Sequence, residues 1–139
     1  MARVVLDTNC LILSLPPNSP YHRVWESFLS GENILCLSNS ILEEYAEIIA
    51  RFWGKDISQD VVDIILNSRF TSFFDPTFNY NLISNDPDDN KFVNCALIAN
   101  AAFLVTEDNH FSVLKEIEFP RIDVIGIDDY MKLLGSIKD

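Results

Sequence analysis

Two aspartates of this chain each follow a short apolar run, a position typical of side chains that bind ligands. Asp7 comes directly after the run at 3–6, and Asp108 comes shortly after the run at 103–105. Such runs predict buried strands of a parallel sheet, whose carboxyl ends meet at the edge where ligands bind. We therefore expect the carboxylates of Asp7 and Asp108 to lie near each other.

A third carboxylate can be placed by helical periodicity on the segment after Ser38 or Ser40. The apolar side chains of this predicted helix recur at about 100° per residue and form one stripe. The stripe consists of Ile41, Leu42, Tyr45, Ile48, Ile49 and Phe52. Glu44 projects to the edge of the stripe, whereas Glu43 and Glu47 project to the solvent side. Glu44 is therefore the glutamate that we expect to point into a cleft.

A fourth carboxylate is expected at the start of a later helix, which Asp88 or Asp89 opens. Asp89 projects onto the same face as Phe92, one turn before it, so its side chain would emerge at the end of the sheet. Asp86 precedes the helix and is the second candidate for this position. The helical projection favours Asp89.

Carboxylates that converge without neighbouring cations raise one another's pKa values, so a cluster of four favours a bound cation. Mg²⁺ prefers oxygen ligands, and a bound divalent ion can activate water for hydrolysis of a phosphodiester bond. No Cys/His pairing has the spacing of a zinc site. Taken singly, each aspartate is as typical of a helix cap or a turn, and Glu44 is more typical of a solvent-exposed helix face. All four at one predicted edge favour Mg²⁺- or Mn²⁺-dependent phosphoryl hydrolysis.

Short apolar strands alternate with helices along the chain, a pattern that predicts an α/β fold with a parallel sheet and helices on both faces. The expected strands cover residues 3–6, 33–37, 69–74, 103–105 and 122–127. The expected helices cover residues 21–29, 38 or 40 to 53, 58–67, 88 or 89 to 101, and 128–134, and residues 109–116 are expected to form a short helix or turn. Ser58 is the expected cap of the helix at 58–67, and Asp128 is expected near the cap of the last helix. Residues 75–88 are expected to form a loop. The length of 139 residues predicts a single domain over residues 1–139.

The composition limits the range of functions. Twenty-one acids against ten Lys and Arg residues give a net charge of −11. This charge argues against nucleic-acid binding unless some of the acids cluster and bind a cation. No apolar run approaches the roughly 20 residues of a membrane span. Three widely spaced cysteines, Cys10, Cys36 and Cys95, suit a reducing compartment. We therefore expect a cytoplasmic protein with no membrane partner.

Four segments of the chain resemble the motifs of PIN-domain ribonucleases in order and spacing. They are residues 4–9 (VVLDTN), 40–45 (SILEEY), 86–92 (DPDDNKF) and 104–108 (LVTED). The resemblance extends over essentially the whole chain and is strongest to the toxins of bacterial and archaeal toxin–antitoxin systems. It implies a PIN-like, Rossmann-like three-layer sandwich whose central parallel sheet has about five strands in the order 3-2-1-4-5.

The resemblance also implies four catalytic, metal-binding acids and two residues that support them by hydrogen bonding. The acids are Asp7, Glu44, Asp89 and Asp108, which would bind Mg²⁺ or Mn²⁺, and the supporting residues are Asn9 and Thr106. Many members carry a further acid near the position of His110, which here either faces the site or caps the short helix. Lys91 is a candidate for phosphate contact, although an exposed helical lysine is the more typical arrangement.

The expected function is that of a metal-dependent endoribonuclease, which hydrolyses phosphodiester bonds of single-stranded RNA as the toxin of a toxin–antitoxin pair. Because the basic residues are scattered, we expect weak, metal-dependent RNA binding. An aromatic cluster at 70–80 is expected mostly to pack in the core or a loop, and an exposed part of it could form an interface, either with an antitoxin protein or within a homodimer or higher oligomer. The alternative, from another functional class, is a catalytically inactive or regulatory acidic α/β module that binds a protein partner.

Overall fold

The computed structural model describes residues 1–75, 90–116 and 121–135. Within these ranges the strands are Ala2–Leu6 (β1), Asn33–Leu37 (β2), Thr71–Phe73 (β3), Phe103–Val105 (β4) and Val124–Ile125 (β5). The α-helices are Thr8–Ser14 (α1), His22–Leu29 (α2), Asn39–Trp53 (α3), Lys55–Asn67 (α4), Asn90–Ala99 (α5) and Ile127–Leu133 (α6). A 3₁₀ helix covers Asn109–Glu116 between β4 and β5.

These strands form one parallel sheet in the order β3-β2-β1-β4-β5, with β1 at its centre. β1 pairs with β2 on one side and with β4 on the other, and its residues Val4, Val5 and Leu6 are fully buried. A continuous apolar run is what a strand covered on both faces requires. The predicted three-layer α/β fold is confirmed, and so is the strand order that the resemblance implied.

The junction of α3 and α4 explains one error in the predicted boundaries. α3 follows Ser38, whose hydroxyl caps the helix, and it ends before Gly54. Gly54 has a φ of 95°, a conformation that glycine adopts readily, and α4 begins at once with Lys55. The predicted start at Ser58 is therefore wrong. Ser58 lies inside α4, where its buried hydroxyl donates a 2.7 Å hydrogen bond to the carbonyl of Ala46.

Several other predicted features differ in detail. α1 has no predicted counterpart, because its seven residues are too few to establish a clear period. α6 begins at Ile127 with Gly126 as its N-cap, so Asp128 lies in the first turn and not at the cap. The strands predicted at 69–74 and 122–127 are longer than the observed β3 and β5, which are the two edge strands of the sheet.

Phe52, predicted on the buried stripe of α3, is 62% exposed. Tyr45 and Ile49 of the same stripe are fully buried, so the prediction is wrong only for the last turn of the helix. Helical periodicity identifies a face of the helix but does not show where the neighbouring core ends.

The loop predicted at 75–88 lies outside the described residues except for Asp75, and so does the predicted helix start at Asp88 or Asp89. α5 ends at Ala99, two residues before the predicted end. No helix in the described part of the chain is both long and apolar enough to cross a bilayer.

Candidate functional site

Asp7 lies where the central strand β1 ends and α1 begins. Its amide donates a 3.0 Å hydrogen bond to the carbonyl of Val105, which extends the pairing of β1 with β4. The residue is only 8% exposed, and its side chain does not cap α1. Burial of a carboxylate is unfavourable unless it is compensated, and the helix-cap interpretation supplies no compensation here.

Thr106 connects the ends of β1 and β4. Its hydroxyl donates a 2.6 Å hydrogen bond to Oδ2 of Asp7 and accepts a 3.0 Å hydrogen bond from the amide of Asp108. Because Thr106 is buried and directly follows β4, the pairing of the two strands holds this hydroxyl next to Asp7. This is the kind of contact expected of a residue that supports the carboxylate of Asp7.

The electrostatic environment of Asp7 brings together three of the four predicted acids. Burial raises the pKa of Asp7, and the negative charges of Asp108 and Glu44 raise this pKa further. Hydrogen bonds from the Thr106 hydroxyl and the Thr8 amide act in the opposite direction without cancelling the shift. The carboxylates of Asp7, Glu44 and Asp108 are therefore electrostatic neighbours, as the sequence predicts.

Glu44 is half-buried on α3, and each of its carboxylate oxygens has a partner within the protein. The hydroxyl of Thr8, the first residue of α1, donates a hydrogen bond to Oε2, and the ammonium group of Lys91 forms an ion pair with Oε1. Glu43 and Glu47 are exposed. The structure thus agrees with the prediction that Glu44 is the least exposed of the three glutamates.

Lys91 lies in the first turn of α5, and 21% of its side chain is exposed. Its Nζ atom pairs with Glu44 and lies 5.7 Å from the centre of the Phe92 ring. The expectation of an exposed helical lysine is therefore wrong. The partner that holds Lys91 belongs to another helix, so the residue pattern of α5 could not reveal it.

Tyr45, predicted only as part of the apolar stripe, also makes a polar contact. Its fully buried hydroxyl donates a 2.5 Å hydrogen bond to the carbonyl of Leu6, the residue before Asp7. The signal available in the sequence is the phenol itself, since a buried tyrosine hydroxyl usually finds a partner. The contact fixes α3 against the end of β1 and so sets the position of Glu44 relative to Asp7.

The remaining predicted residues are less fully described. Asp86, Asp89 and the side chain of His110 lie outside what the structure describes. Asn9 lies on α1 and is exposed. Within residues 1–75, 90–116 and 121–135, no group of three or more Asp, Glu, His or Cys side chains is arranged to hold a metal ion. The metal-binding role of the four acids stays a prediction.

The donors that are present suit a hard divalent cation. Asp7 and Asp108 offer carboxylate oxygens, which are preferred ligands of Mg²⁺ and Mn²⁺. Burial and like charges raise the pKa of Asp7, and a nearby cation would relieve both effects. A cavity of about 190 Å³ opens beside Thr106 and Asp108 and extends to Lys115 and Gly126. The edge therefore has space for a phosphate group beside Asp108.

The sequence matches the PIN domain family over residues 3–110. No individually curated protein matches it. Among solved structures, the fold is similar to a chain of VapBC2 from Rickettsia felis, a complex bound to a DNA fragment from its promoter. That chain is 19% identical with a TM-score of 0.62, and the match covers 89% of this chain and 98% of the other.

Two further solved structures have the same fold. VapC20 of Mycobacterium tuberculosis, a toxin that cleaves the sarcin–ricin loop, is 17% identical with a TM-score of 0.56; the match covers 78% of this chain and 92% of that one. FitAcB of Neisseria gonorrhoeae is 16% identical with a TM-score of 0.57, and coverage is 89% and 97%. At these identities the likeness concerns the fold.

Proposed function

This chain belongs to the PIN domain family, and we propose that it is a metal-dependent endoribonuclease that hydrolyses phosphodiester bonds of single-stranded RNA. The observation that supports this best is the hydrogen bond between Thr106 and Asp7 at the carboxyl ends of the two central strands. A buried acid, held by the neighbouring strand and surrounded by like charges, is suited to hold a cation against a phosphate group.

The predicted acids and the two supporting residues have distinct roles in the proposed reaction. The proposed metal ligands are Asp7, Glu44, Asp89 and Asp108, with Asp86 as the alternative to Asp89. When bound, Mg²⁺ or Mn²⁺ would supply activation of water and stabilisation of charge on the phosphate. Thr106 orients Asp7 and, through the amide of Asp108, the loop after β4. Asn9, in the first turn of α1, would support these acids by hydrogen bonding.

RNA cleavage by the purified protein tests this function, with Mn²⁺, Mg²⁺ or a chelator present. We expect cleavage of single-stranded RNA with either ion and none with the chelator. Glu44→Gln should reduce cleavage strongly, whereas Glu43→Gln, an exposed neighbour on the same helix, should not. Cleavage that continues in the chelator, or that Glu44→Gln leaves unchanged, would contradict the proposal.

We further propose that the protein is the toxin of a toxin–antitoxin pair, because relatives of the same fold are described as a toxin or as two-protein complexes. An apolar groove of about 370 Å³ offers a docking surface. It is lined by Leu15, Pro16, Pro17, Trp25, Trp53, Ile57, Val61 and Ile64. Asp60 on α4 is exposed beside Ile64, and the chain carries a net charge of −11. The groove therefore suits an amphipathic helix with basic flanks, contributed by an antitoxin.

Co-expression with the product of the adjacent reading frame tests the partner. The two proteins should co-purify, and Trp53→Glu should abolish co-purification without unfolding the chain.

Light scattering of the chain alone tests the predicted homodimer or higher oligomer, for which the exposed Phe73 of the aromatic cluster is a candidate contact. The three buried free cysteines support a reducing compartment such as the cytoplasm.

The ion pair between Glu44 and Lys91 favours one alternative, an inactive acidic module that only binds a protein partner. In that case the site's charges would be balanced within the protein and no metal would be needed. Calorimetric titration with Mn²⁺ separates the two functions, because the inactive module would show no binding heat.

A further inference from the structure

Glu107 stands between Thr106 and Asp108 in the loop after β4, but its carboxylate contacts a different element. Thr106 bonds to Asp7, and Asp108 is a proposed metal ligand. Oε2 of Glu107 accepts a 2.7 Å hydrogen bond from the amide of Ile127, the first residue of α6. The carboxylate of Glu107 therefore connects the loop that carries Asp108 to α6.

α6 is a firm anchor for this contact, because it is tied to the core. Ile127 and Tyr130 are each only 1% exposed. The hydroxyl of Tyr130 accepts a 2.8 Å hydrogen bond from Asn33 on β2, and Oδ1 of Asn33 accepts a 3.0 Å hydrogen bond from the amide of Ala2 on β1. The amide of Ile127 is thus a fixed point from which a side chain can hold a neighbouring loop.

Gly126, the residue before Ile127, leaves room for the carboxylate of Glu107. A Cβ atom at this position would lie 2.6 Å from Oε2 of Glu107, well inside the separation at which non-bonded atoms normally pack. The φ of Gly126 is −79°, which other residues adopt as easily, so the backbone itself does not require glycine. The contact with Glu107 therefore explains why no side chain is present here.

We propose that Glu107 is a positioning residue, which holds Asp108 in place for metal binding by fixing the loop after β4 on α6. This inference rests on the proposed nuclease function. The amide of Asp108 donates to the Thr106 hydroxyl, and the Glu107 contact fixes the residue immediately before it. Glu107, Asp108 and Gly126 also line the same cavity of about 190 Å³. The contact therefore forms part of the wall beside the proposed site.

Titration calorimetry with Mn²⁺, on the full chain without RNA, tests the inference. Glu107→Ala should weaken Mn²⁺ binding about 10-fold, as is typical for loss of a contact that orients metal ligands. Glu107→Gln also removes the charge but keeps an acceptor for the Ile127 amide, so it should bind Mn²⁺ within about threefold of the wild type. The difference between the two variants separates the effect of the hydrogen bond from that of the negative charge.

Gly126→Ala reaches the same contact from the other side. The added methyl group should displace the Glu107 carboxylate from the Ile127 amide, while the charge and the backbone conformation are kept. This variant should therefore weaken Mn²⁺ binding about as much as Glu107→Ala. Because both substitutions remove one contact, the double variant should bind Mn²⁺ no more weakly than either single variant.

The outcomes separate this inference from the proposed function. If the contact only stabilises α6, Glu107→Ala will unfold at a lower temperature with unchanged Mn²⁺ affinity, which overturns the inference and leaves the nuclease function standing. Equal losses of affinity in Glu107→Gln and Glu107→Ala also overturn it, since the charge alone would then act. If Glu107→Ala does not fold, unchanged affinity in Gly126→Ala overturns the inference instead. A wild type that neither binds Mn²⁺ nor cleaves RNA overturns both proposals.

Discussion

The carboxyl edge of the sheet and the apolar groove depart from the usual distribution of residues in opposite ways. At the edge, Asp7 and Thr106 are polar side chains with less than a tenth of their surface exposed. In the groove, Trp53, Ile57 and Ile64 are apolar side chains with more than a third exposed. Burial of a carboxylate opposes folding, and apolar surface that stays exposed contributes nothing to it. Each region is therefore better explained by what binds there than by stability.

The two regions differ in how they are held. Hydrogen bonds between neighbouring strands and helices fix the edge, as Thr106 does for Asp7 and Tyr45 does for the carbonyl of Leu6. The groove is held by the packing of the opposite sides of its helices, where residues such as Ile65 are buried, together with the hydrogen bond from Ser58 to the carbonyl of Ala46. Substitutions at the edge should thus change activity, and substitutions on the exposed groove surface should change association alone.

The largest effect is expected from Asp7→Asn, which should reduce RNA cleavage at least about 100-fold, or roughly 2.7 kcal/mol of barrier. Measured without added metal at pH 7, the Asp7→Asn variant should nevertheless unfold at a higher temperature than the wild type. Burial raises the pKa of Asp7, so ionisation of the folded wild type is penalised and its stability falls as pH rises through the raised pKa. Thermal unfolding at several pH values checks this.

The difference between Asp7→Asn and the wild type should close below about pH 3.9, the ordinary pKa of an aspartate, where both folded and unfolded wild type are protonated. Added Mn²⁺ should stabilise the wild type and not the variant. A variant that unfolds earlier than the wild type at pH 7 would show that the edge is organised for stability.

The next largest effect separates two neighbours on α4. Ile65 is 2% exposed and Ile64 is 43% exposed in the groove. Ile65→Ala should lower the free energy of unfolding by about 2–5 kcal/mol, because it leaves a cavity in the core. Ile64→Ala should change it by less than about 0.5 kcal/mol. Denaturant unfolding measures both, and a large loss for Ile64→Ala would mean that the groove is part of the core.

These two regions also mark what could be predicted from the sequence. Continuous apolar runs identify the strands at 3–6, 33–37 and 103–105, because buried parallel strands need apolar residues on both faces. The same pattern places Asp7 and Asp108 at one edge. Within α3, periodicity separates Glu44 from its exposed neighbours, because the geometry of a single helix is enough for that distinction.

Features that depend on two separate elements could not be predicted in this way. The partner of Lys91 lies on α3, more than forty residues earlier in the chain, and α5 itself carries no sign of it. The exposure of Phe52 depends on where the core ends beside α3. Periodicity treats a residue that faces the core and one that faces a partner alike, so the groove is not distinguished from the core by sequence.

A smaller effect is expected at Thr106, whose hydroxyl supports Asp7. Thr106→Val should reduce cleavage about 10- to 100-fold, as is typical for loss of a hydrogen bond to a metal-binding side chain. In the wild type the hydrogen bond from Thr106 lowers the pKa of Asp7. The valine variant lacks this bond, so its Asp7 should have a still higher pKa. As the solution is acidified, cleavage by the variant should therefore begin to fall at a higher pH than cleavage by the wild type. Thr106→Ser keeps the hydroxyl and should restore the wild-type profile.

The smallest effect is expected at Tyr45, which fixes the backbone before Asp7 and not the carboxylate. Tyr45→Phe should lower the free energy of unfolding by about 0.5–1.5 kcal/mol, because the carbonyl of Leu6 loses its donor. Tyr130→Phe is a matched control, since its buried hydroxyl accepts a 2.8 Å hydrogen bond from Asn33 at another place in the core. Both variants should cleave RNA within about threefold of wild type, a difference below 1 kcal/mol. If Tyr45→Phe reduced cleavage as much as Thr106→Val, the tyrosine would belong to the reacting edge and not to its scaffold.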